Sequence, residues 1–483
     1  MAHFCHTAGK AFLPFAAVLG LSGALSAQLE TRGSALVLPE PNSAAVGDFN
    51  HDGKLDLAVT SVDSRTGYST DVQVLLGNGD GTFKAAVSYG VGTRPDSVAA
   101  ADLNDDGNLD LIVANEMSNS VSILLGNGDG TFQPAMTFAT PQDPTFVAVG
   151  DFNRDGKLDV VMVSLSDATG FCDCVAVLLG NGDGTFREPA IITTLAEPPT
   201  GALGVGRFDA DNNLDVAVSE ESLSADQVEV LLGNGDGTFR QGGIYPVGAG
   251  PGPIAVADFN GDHKADLAVA ENEGGAIGIL LGNGDGTFQP ETFYLTNFPL
   301  WVTAADLNGD HKLDLVVANI DFPSGVTTLK GNGDGTFQKG VYYPDGTEDR
   351  FVAVGDFNGD HKPDVVVLDF LNGKAIVLLN TGVVSLSPTT PLNFKKQTVG
   401  TTSAPQKVTL TNTGTTALNL SAMKAVGQFA MTSTCHATVP AGGKCTISVT
   451  FSPKSKGAKS GTVSITDSAS SKPQVIELSG TGD

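Results

Sequence analysis

Asp151-Phe152-Asn153-Arg154-Asp155-Gly156-Lys157-Leu158-Asp159 places oxygen-bearing side chains at positions 1, 3, 5 and 9 of a nine-residue loop, with glycine at position 6. An apolar segment (Phe146-Val147-Ala148-Val149) leads in and another (Val160-Val161-Met162-Val163) leads out. Three carboxylates held that close repel one another unless a cation sits among them. Hard oxygen donors on alternate loop residues are what Ca²⁺ accepts.

The loop recurs. Copies begin at Asp48, Asp102, Asp151, Arg207, Asp258, Asp306 and Asp356, at intervals of 54, 49, 56, 51, 48 and 50 residues, a period that marks a repeat architecture. Each loop is followed by a short apolar strand such as Leu57-Ala58-Val59, a variable connection, and a strand such as Val74-Leu75-Leu76. A Gly-Asn-Gly-Asp-Gly-Thr-Phe block then follows at 77–83, 126–132, 180–186, 233–239, 282–288 and 331–337. A less regular last segment leads on, so four short strands fill each period. Four-stranded sheets repeated radially close into a propeller. A calcium-binding β-helix repeats every nine residues or so, and a linear solenoid needs no closure. The seventh repeat has strands at Asp364–Leu368 and Ala375–Leu379 but lacks the block and a fourth strand. The spare segment Ala35-Leu36-Val37-Leu38 is expected to complete it and pin the ring shut.

The recurring Val-Ala-x-x-Asp-Phe-Asn-x-Asp-Gly-x-x-Asp and Leu-Leu-Gly-Asn-Gly-Asp-Gly-Thr-Phe strings resemble the FG-GAP/VCBS repeat family. That family is related to the seven-bladed calcium-binding propeller of integrin α subunits. The resemblance covers about 34–382. It implies an all-β, calcium-stabilised propeller in an extracellular or cell-surface protein, often with a binding role.

Position by position, the expected metal ligands are Asp48, Asn50, Asp52 and Asp56 in the first loop and Asp102, Asn104, Asp106 and Asp110 in the second. The third offers Asp151, Asn153, Asp155 and Asp159, the fifth Asp258, Asn260, Asp262 and Asp266. The sixth offers Asp306, Asn308, Asp310 and Asp314, the seventh Asp356, Asn358, Asp360 and Asp364. The fourth departs: Arg207 opens it, leaving Asp209, Asp211 and Asp215, and its guanidinium is expected to stand in for the ion. Loops five to seven carry His263, His311 and His361 at position 6, where a left-handed backbone is expected that His tolerates. In separate blades, these three are too far apart for a zinc site. Six or seven Ca²⁺ ions are thus expected. At about 1 mM Ca²⁺ and a Kd near 10⁻⁴ M, each contributes about 1.4 kcal/mol, so six reach roughly 8 kcal/mol. That magnitude makes the metal structural. The Gly-Asn-Gly-Asp-Gly blocks read as tight turns, with the following Phe packed between blades.

With 54 acidic and 27 basic residues the formal net charge is −27, which argues against a nucleic-acid partner because no basic stripe exists to neutralise phosphates. Seven bound Ca²⁺ would reduce it to about −13. Lys10, the apolar run Ala11–Leu21 and the small residues after it form a secretory signal pattern, so residues 1–27 are expected to be removed. No transmembrane segment is expected in the mature chain. Cys435 and Cys445 flank a Pro-Gly-Gly turn at disulfide spacing, whereas Cys172 and Cys174 are too close for a relaxed bridge, leaving a CxC thiol pair as an alternative.

The propeller is expected over 28–383. Residues 384–483 read as short alternating strands, including Gln406–Asn412, Lys444–Phe451 and Thr462–Asp467, which suggests an immunoglobulin-like sandwich. Val384-Ser385-Leu386-Ser387-Pro388 and Cys445–Pro453 are similar to Hydin-like domains of bacterial surface and secreted proteins, which implies a spacer or docking module. The expected function is secreted or surface binding and adhesion, with no catalytic role. The segments 62–71, 116–120, 164–174, 219–227, 271–276, 319–326 and 369–374 would meet an extracellular protein or polysaccharide if they share a face. A structural envelope protein, or a propeller lyase or hydrolase, are the alternatives. His51 and His436 have no visible catalytic partner, and the oligomeric state is not readable.

Overall fold

The structure is a computed structural model. It describes residues 29–37, 40–63, 68–165, 173–188, 191–222, 225–320, 324–344, 348–380, 384–387, 392–412, 417–440, 442–467 and 473–483. The expected leader, residues 1–27, and Cys172 lie outside them. The described residues hold no α-helix, only a 3₁₀ turn at Glu116–Ser118.

Seven four-stranded antiparallel sheets form the first part. In the first, an inner strand Pro41–Gly47 pairs with a second, Asp56–Ser61, then a third, Asp71–Leu75, and an outer one, Val87–Gly90. The other inner strands are Pro95–Ala101, Pro144–Gly150, Pro199–Gly206, Pro251–Ala257, Pro299–Ala305 and Asp349–Gly355. The second strands read as unbroken apolar runs because both faces are covered. Ala58 packs toward the second sheet, while Leu57 and Val59 pack toward the seventh. Seven such cores lie between neighbouring sheets, one of them joining seventh to first, so the sheets form a closed ring.

The chain's N-terminal strand closes that ring. Leu29–Leu36 is the outer strand of the seventh sheet and pairs antiparallel with Lys374–Asn380, with Leu29 opposite Asn380. The closing segment therefore starts earlier than Ala35. Val37, just past it, is buried between the seventh and first sheets and donates its N–H to the Gly373 carbonyl at 2.9 Å. Lacking a Thr-Phe block, the seventh repeat has no outer strand of its own sequence, and the N-terminus supplies it.

Neighbouring blades are fastened by one recurring contact. In five of the six blocks the terminal Phe meets the Phe at position 2 of the preceding blade's acidic loop, edge to face; the exception is Phe186, where that position is Leu103 of the same core. Phe132 sits 5.6 Å from Phe49, Phe337 5.6 Å from Phe259, and Phe83 6.0 Å from Phe357 across the closure. The third glycine of the block donates its N–H to the carbonyl of that same residue. Gly81 to Phe357, Gly130 to Phe49 and Gly286 to Phe208 are 2.8–2.9 Å. This glycine is compulsory: at Gly286 φ is +83° and a Cβ would lie 2.8 Å from Leu232 of the preceding blade. The seventh blade, without a block, uses a side chain instead. Asn380 Nδ2 donates to the Leu307 carbonyl of the sixth blade at 2.6 Å.

Residues from Val384 onward form a sandwich of two sheets. One contains Val384–Ser387, Gln406–Asn412, Lys444–Phe451 and Phe429–Ser433. The other contains Leu392–Gln397, Gln474–Gly482, Gly457–Asp467, Leu418–Ala425 and Thr438–Val439, with its first two strands parallel. Phe394, Phe429 and Phe451 meet in its core. Cys435 and Cys445 are disulfide-bonded as their spacing suggested, with Cα atoms 4.9 Å apart. Cys174 is also disulfide-bonded, which corrects the reading of Cys172 and Cys174 as an unbridged thiol pair; its partner lies outside the described residues.

Candidate functional site

The antiparallel pairing sorts the connections by end. Gly47 lies opposite Asp56 and Pro41 opposite Ser61. Acidic loops therefore occupy one end of the ring, and the connections between second and third strands occupy the other. The described residues of the variable segments singled out from the sequence share that second end; 64–67, 166–172, 223–224 and 321–323 of those segments lie outside the described residues.

At the first end, each acidic loop is wound around its own oxygens. Asp48 Oδ1 and Asn50 Oδ1 both accept the Asp52 N–H, at 3.1 and 2.9 Å, Asp48 Oδ2 accepts from Gly53, and Asp52 Oδ1 accepts from Lys54. In six of the seven loops two residues adopt positive φ, not one; in the fourth only Asn212 does, at φ 64°. In the first three loops these are position 4 (His51, Asp105, Arg154) and the glycine at 6; in the last three, glycine takes position 4 and His263, His311 and His361 take 6, at φ 63–64°. Each of these histidines is over nine-tenths exposed and faces the position-1 carboxylate of its own loop, at 3.7–3.9 Å. His51, expected to lack a partner, shares a hydrogen bond of 2.9 Å with Asn108 of the next loop.

The carboxylate at position 9 does a job that spacing alone did not reveal. Asp56 is fully buried; its Oδ2 accepts the Phe49 N–H at 2.9 Å and its Oδ1 accepts the Gly77 N–H at 2.7 Å. It thus ties the acidic loop to the first glycine of the block. Asp110, Asp159, Asp215, Asp266 and Asp314 repeat both bonds, and Asp364 does so with Asn380 in the glycine's place. Burial pushes all seven carboxyls up, against the pull of these N–H donors: Asp159 and Asp314 reach about 6 and Asp364 about 7. Nearby loop carboxylates push the same way, Asp52 and Asp48 on Asp56 for example.

This donor set fits a hard divalent cation: it is all oxygen, and its negative charges raise one another. The loops differ in what else balances them. No basic side chain among the described residues pairs with Asp102, Asp105 or Asp106 of the second loop. Arg187 approaches Asp155 at 3.6 Å, and Lys330 approaches Asp310 at 3.0 Å. In the fourth loop, the carboxylate oxygens of Asp209, Asp211 and Asp215 lie within 4.8 Å of one another. The guanidinium beside them belongs to Arg240, 3.1 Å from Asp209 and 3.7 Å from Asp211. Arg207, expected in that role, instead donates Nε to the Asn212 carbonyl at 3.3 Å. Arg240 directly follows Phe239, and the fold, not the local motif, delivers it.

At the opposite end, the first residues of the seven inner strands surround a cavity of about 210 Å³ on the ring axis. Asn42, Asp96, Thr145, Thr200 and Arg350 stand in its wall with Leu300. Phe146 of the third blade and Trp301 of the sixth, with ring centroids 6.0 Å apart, meet across the axis and form its floor. Asn42 Nδ2 holds Asp96, donating to its carbonyl at 2.9 Å and to its Oδ1 at 3.0 Å. Burial pushes the Asp96 carboxyl up to about 6, with Arg94 and Arg350 opposing the shift. Sequence reading missed this pit because its residues are drawn from all seven repeats.

Comparison with known families matches the FG-GAP-like repeat at 48–113, 102–162, 151–218, 207–269, 258–317 and 306–367. Together these span 48–367, about two-thirds of the chain, and the chain belongs to the FG-GAP-like repeat proteins. Residues 381–475 match the ASH (ASPM-SPD-2-Hydin) domain family, in line with the Hydin-like reading. No curated protein matches the chain. Among solved structures it is similar to a putative 6-phosphogluconolactonase from Bacteroides fragilis, at 19% identity over 66% of this chain and 88% of that one, TM-score 0.48. It is also similar to the V. cholerae biofilm matrix protein Bap1, at 12% identity over 73% and 91%, TM-score 0.40. The ASH/PapD-like domain 7 of human CEP192 matches at 16% identity over 21% of this chain and 84% of that domain, TM-score 0.18. Likeness at this level carries no activity across. No helix among the described residues is long and apolar enough to cross a membrane.

Proposed function

We propose that this protein is an exported binding protein whose propeller is held rigid by Ca²⁺ in the acidic loops. Its opposite end engages an extracellular protein or polysaccharide. The observation that carries the reading is the segregation of ends: repeated metal-type loops at one, the segments that differ most between blades at the other. A ring built this way keeps the ions away from the ligand, so calcium acts on binding through the rigidity of the scaffold. The leader-like N-terminus supports an extracellular setting. The ASH domain serves as a spacer or docking module. The test is a glycan and extracellular-protein array probed with the calcium-loaded and the chelated full chain. Calcium-dependent binding without turnover is expected. Silence across the array favours a structural envelope role, and turnover of a bound glycan favours an enzyme.

A further inference from the structure

The axial pit combines features that a general ligand face does not need. Its floor is aromatic, and its wall carries acceptors (the Asp96 carboxylate, the Asn42 amide oxygen, and the hydroxyl oxygens of Thr145 and Thr200, whose protons go to the Gly201 and Ser219 carbonyls at 3.3 and 3.2 Å) together with the Arg350 guanidinium as donor. Asp96 is held in place through Oδ1 by Asn42, while Oδ2 takes no hydrogen bond from the described residues. Arg350 is fixed from behind. Its Nε and Nη2 bind Glu348 Oε1 at 2.8 and 2.6 Å and its Cζ lies 3.4 Å from the centre of the Phe370 ring. Both charged groups are therefore oriented by second residues, which is how a binding group is kept ready rather than left to flex. Glu348 offsets the charge of Arg350, so the pit attracts no simple anion. Trp301 and Phe146 touch each other, so they offer a flat floor and not a cage around a cation.

A flat aromatic surface facing mixed donors and acceptors suits a molecule with apolar C–H faces and hydroxyl edges. We infer that the pit binds the terminal residue of a saccharide, with its ring against Trp301 and its hydroxyls bonded to Asp96, Asn42 and Thr200. At about 210 Å³ the pit is smaller than the roughly 300–1,000 Å³ of sites that engulf a drug-sized ligand. It takes one sugar unit, leaving the rest of a chain to lie over the surrounding loops. The inference rests on the reading of this end as the ligand face, and sharpens it to one subsite.

The chain carries its own reporter, because Trp301 is its single tryptophan. The calcium-loaded full chain is titrated with methyl glycosides of glucose, galactose, mannose, N-acetylglucosamine and glucuronic acid, following tryptophan emission and calorimetry. Choline and acetate serve as cation and anion controls. A saturable emission change with at least one glycoside is expected, weakened tenfold or more in Asp96→Ala and in Thr200→Val, with melting temperatures unchanged. Thr200→Val guards against a fold defect at Asp96. Saturation with choline or acetate and none with any glycoside overturns the inference, as does a glycoside response that both variants leave intact. Array binding that persists in Asp96→Ala with unaltered Trp301 emission also overturns it, while the loop-face reading stands. Array silence together with a glycoside response sensitive to Asp96 does the reverse.

Discussion

Two aspartates of one loop make different predictions. Asp151 is half-buried and accepts the Asp155 and Gly156 N–H groups at the exposed tip of the loop, where water can replace it. Asp159 is fully buried and accepts from Phe152, Asn153 and Gly180. Asp151→Ala should cost about 1–2 kcal/mol in calcium and little in chelator, since only the ion's share of stability is lost. Asp159→Ala should cost about 2–5 kcal/mol in both conditions, because buried N–H donors are left unpaired; denaturant melts of both variants with and without calcium check this. Arg240→Gln should add one Ca²⁺ to the number counted by calorimetry, since the guanidinium beside Asp209 and Asp211 is removed. The alternating oxygens were legible in the sequence, because ligand chemistry imposes a local spacing. The clamp by Asp159 was not: its partner Gly180 lies 21 residues on, and only the antiparallel pairing of strands brings the two together.

The closing strand was legible as well, from an element missing at one end and spare at the other. Its extent was not, because Leu29-Glu30-Thr31 carries no alternating pattern and gains its place from pairing with Leu378–Asn380. Deleting residues 29–37 leaves Lys374–Asn380 as an uncovered edge. The shortened chain should melt at least 10 °C lower and self-associate in light scattering, whereas deleting residues 1–27 should do neither. Asn380→Ala isolates a smaller share of the same closure: it frees the Leu307 carbonyl without removing a strand, and a loss of about 1–2 kcal/mol in a denaturant melt is expected.

Over the whole molecule, the seven raised position-9 carboxyls contribute to the response to pH, in the same direction as Asp96, Glu116, Glu220 and Glu271, which burial also pushes up. A carboxyl that holds its proton more tightly folded than unfolded stabilises the fold fully below its unfolded value, 3.8 here, and that contribution is lost as pH rises through the folded value. For Asp159, Asp314 and Asp364 the window runs from about 4 to about 7. The metal-free protein should therefore show a melting temperature that falls between pH 4 and pH 7. Millimolar Ca²⁺ should reverse the slope, because the ion binds the deprotonated form; calorimetric scans across this range check both signs. Ring closure, blade period and domain order could be read from the chain because repetition advertises them. The pit could not, since Asp96, Phe146 and Trp301 are ordinary residues until a sevenfold ring faces them toward one axis.

Ring closure by the N-terminal strand also has a mechanical side. Leu29 pairs with Asn380, so the chain enters and leaves the propeller at the same end of one ladder. Tension applied between Leu29 and Asn380 would load the hydrogen bonds of that ladder one at a time, in the unzipping direction, instead of all together in shear. Under such a load the seventh blade would yield first, because its outer strand is held to the rest of its blade through this ladder.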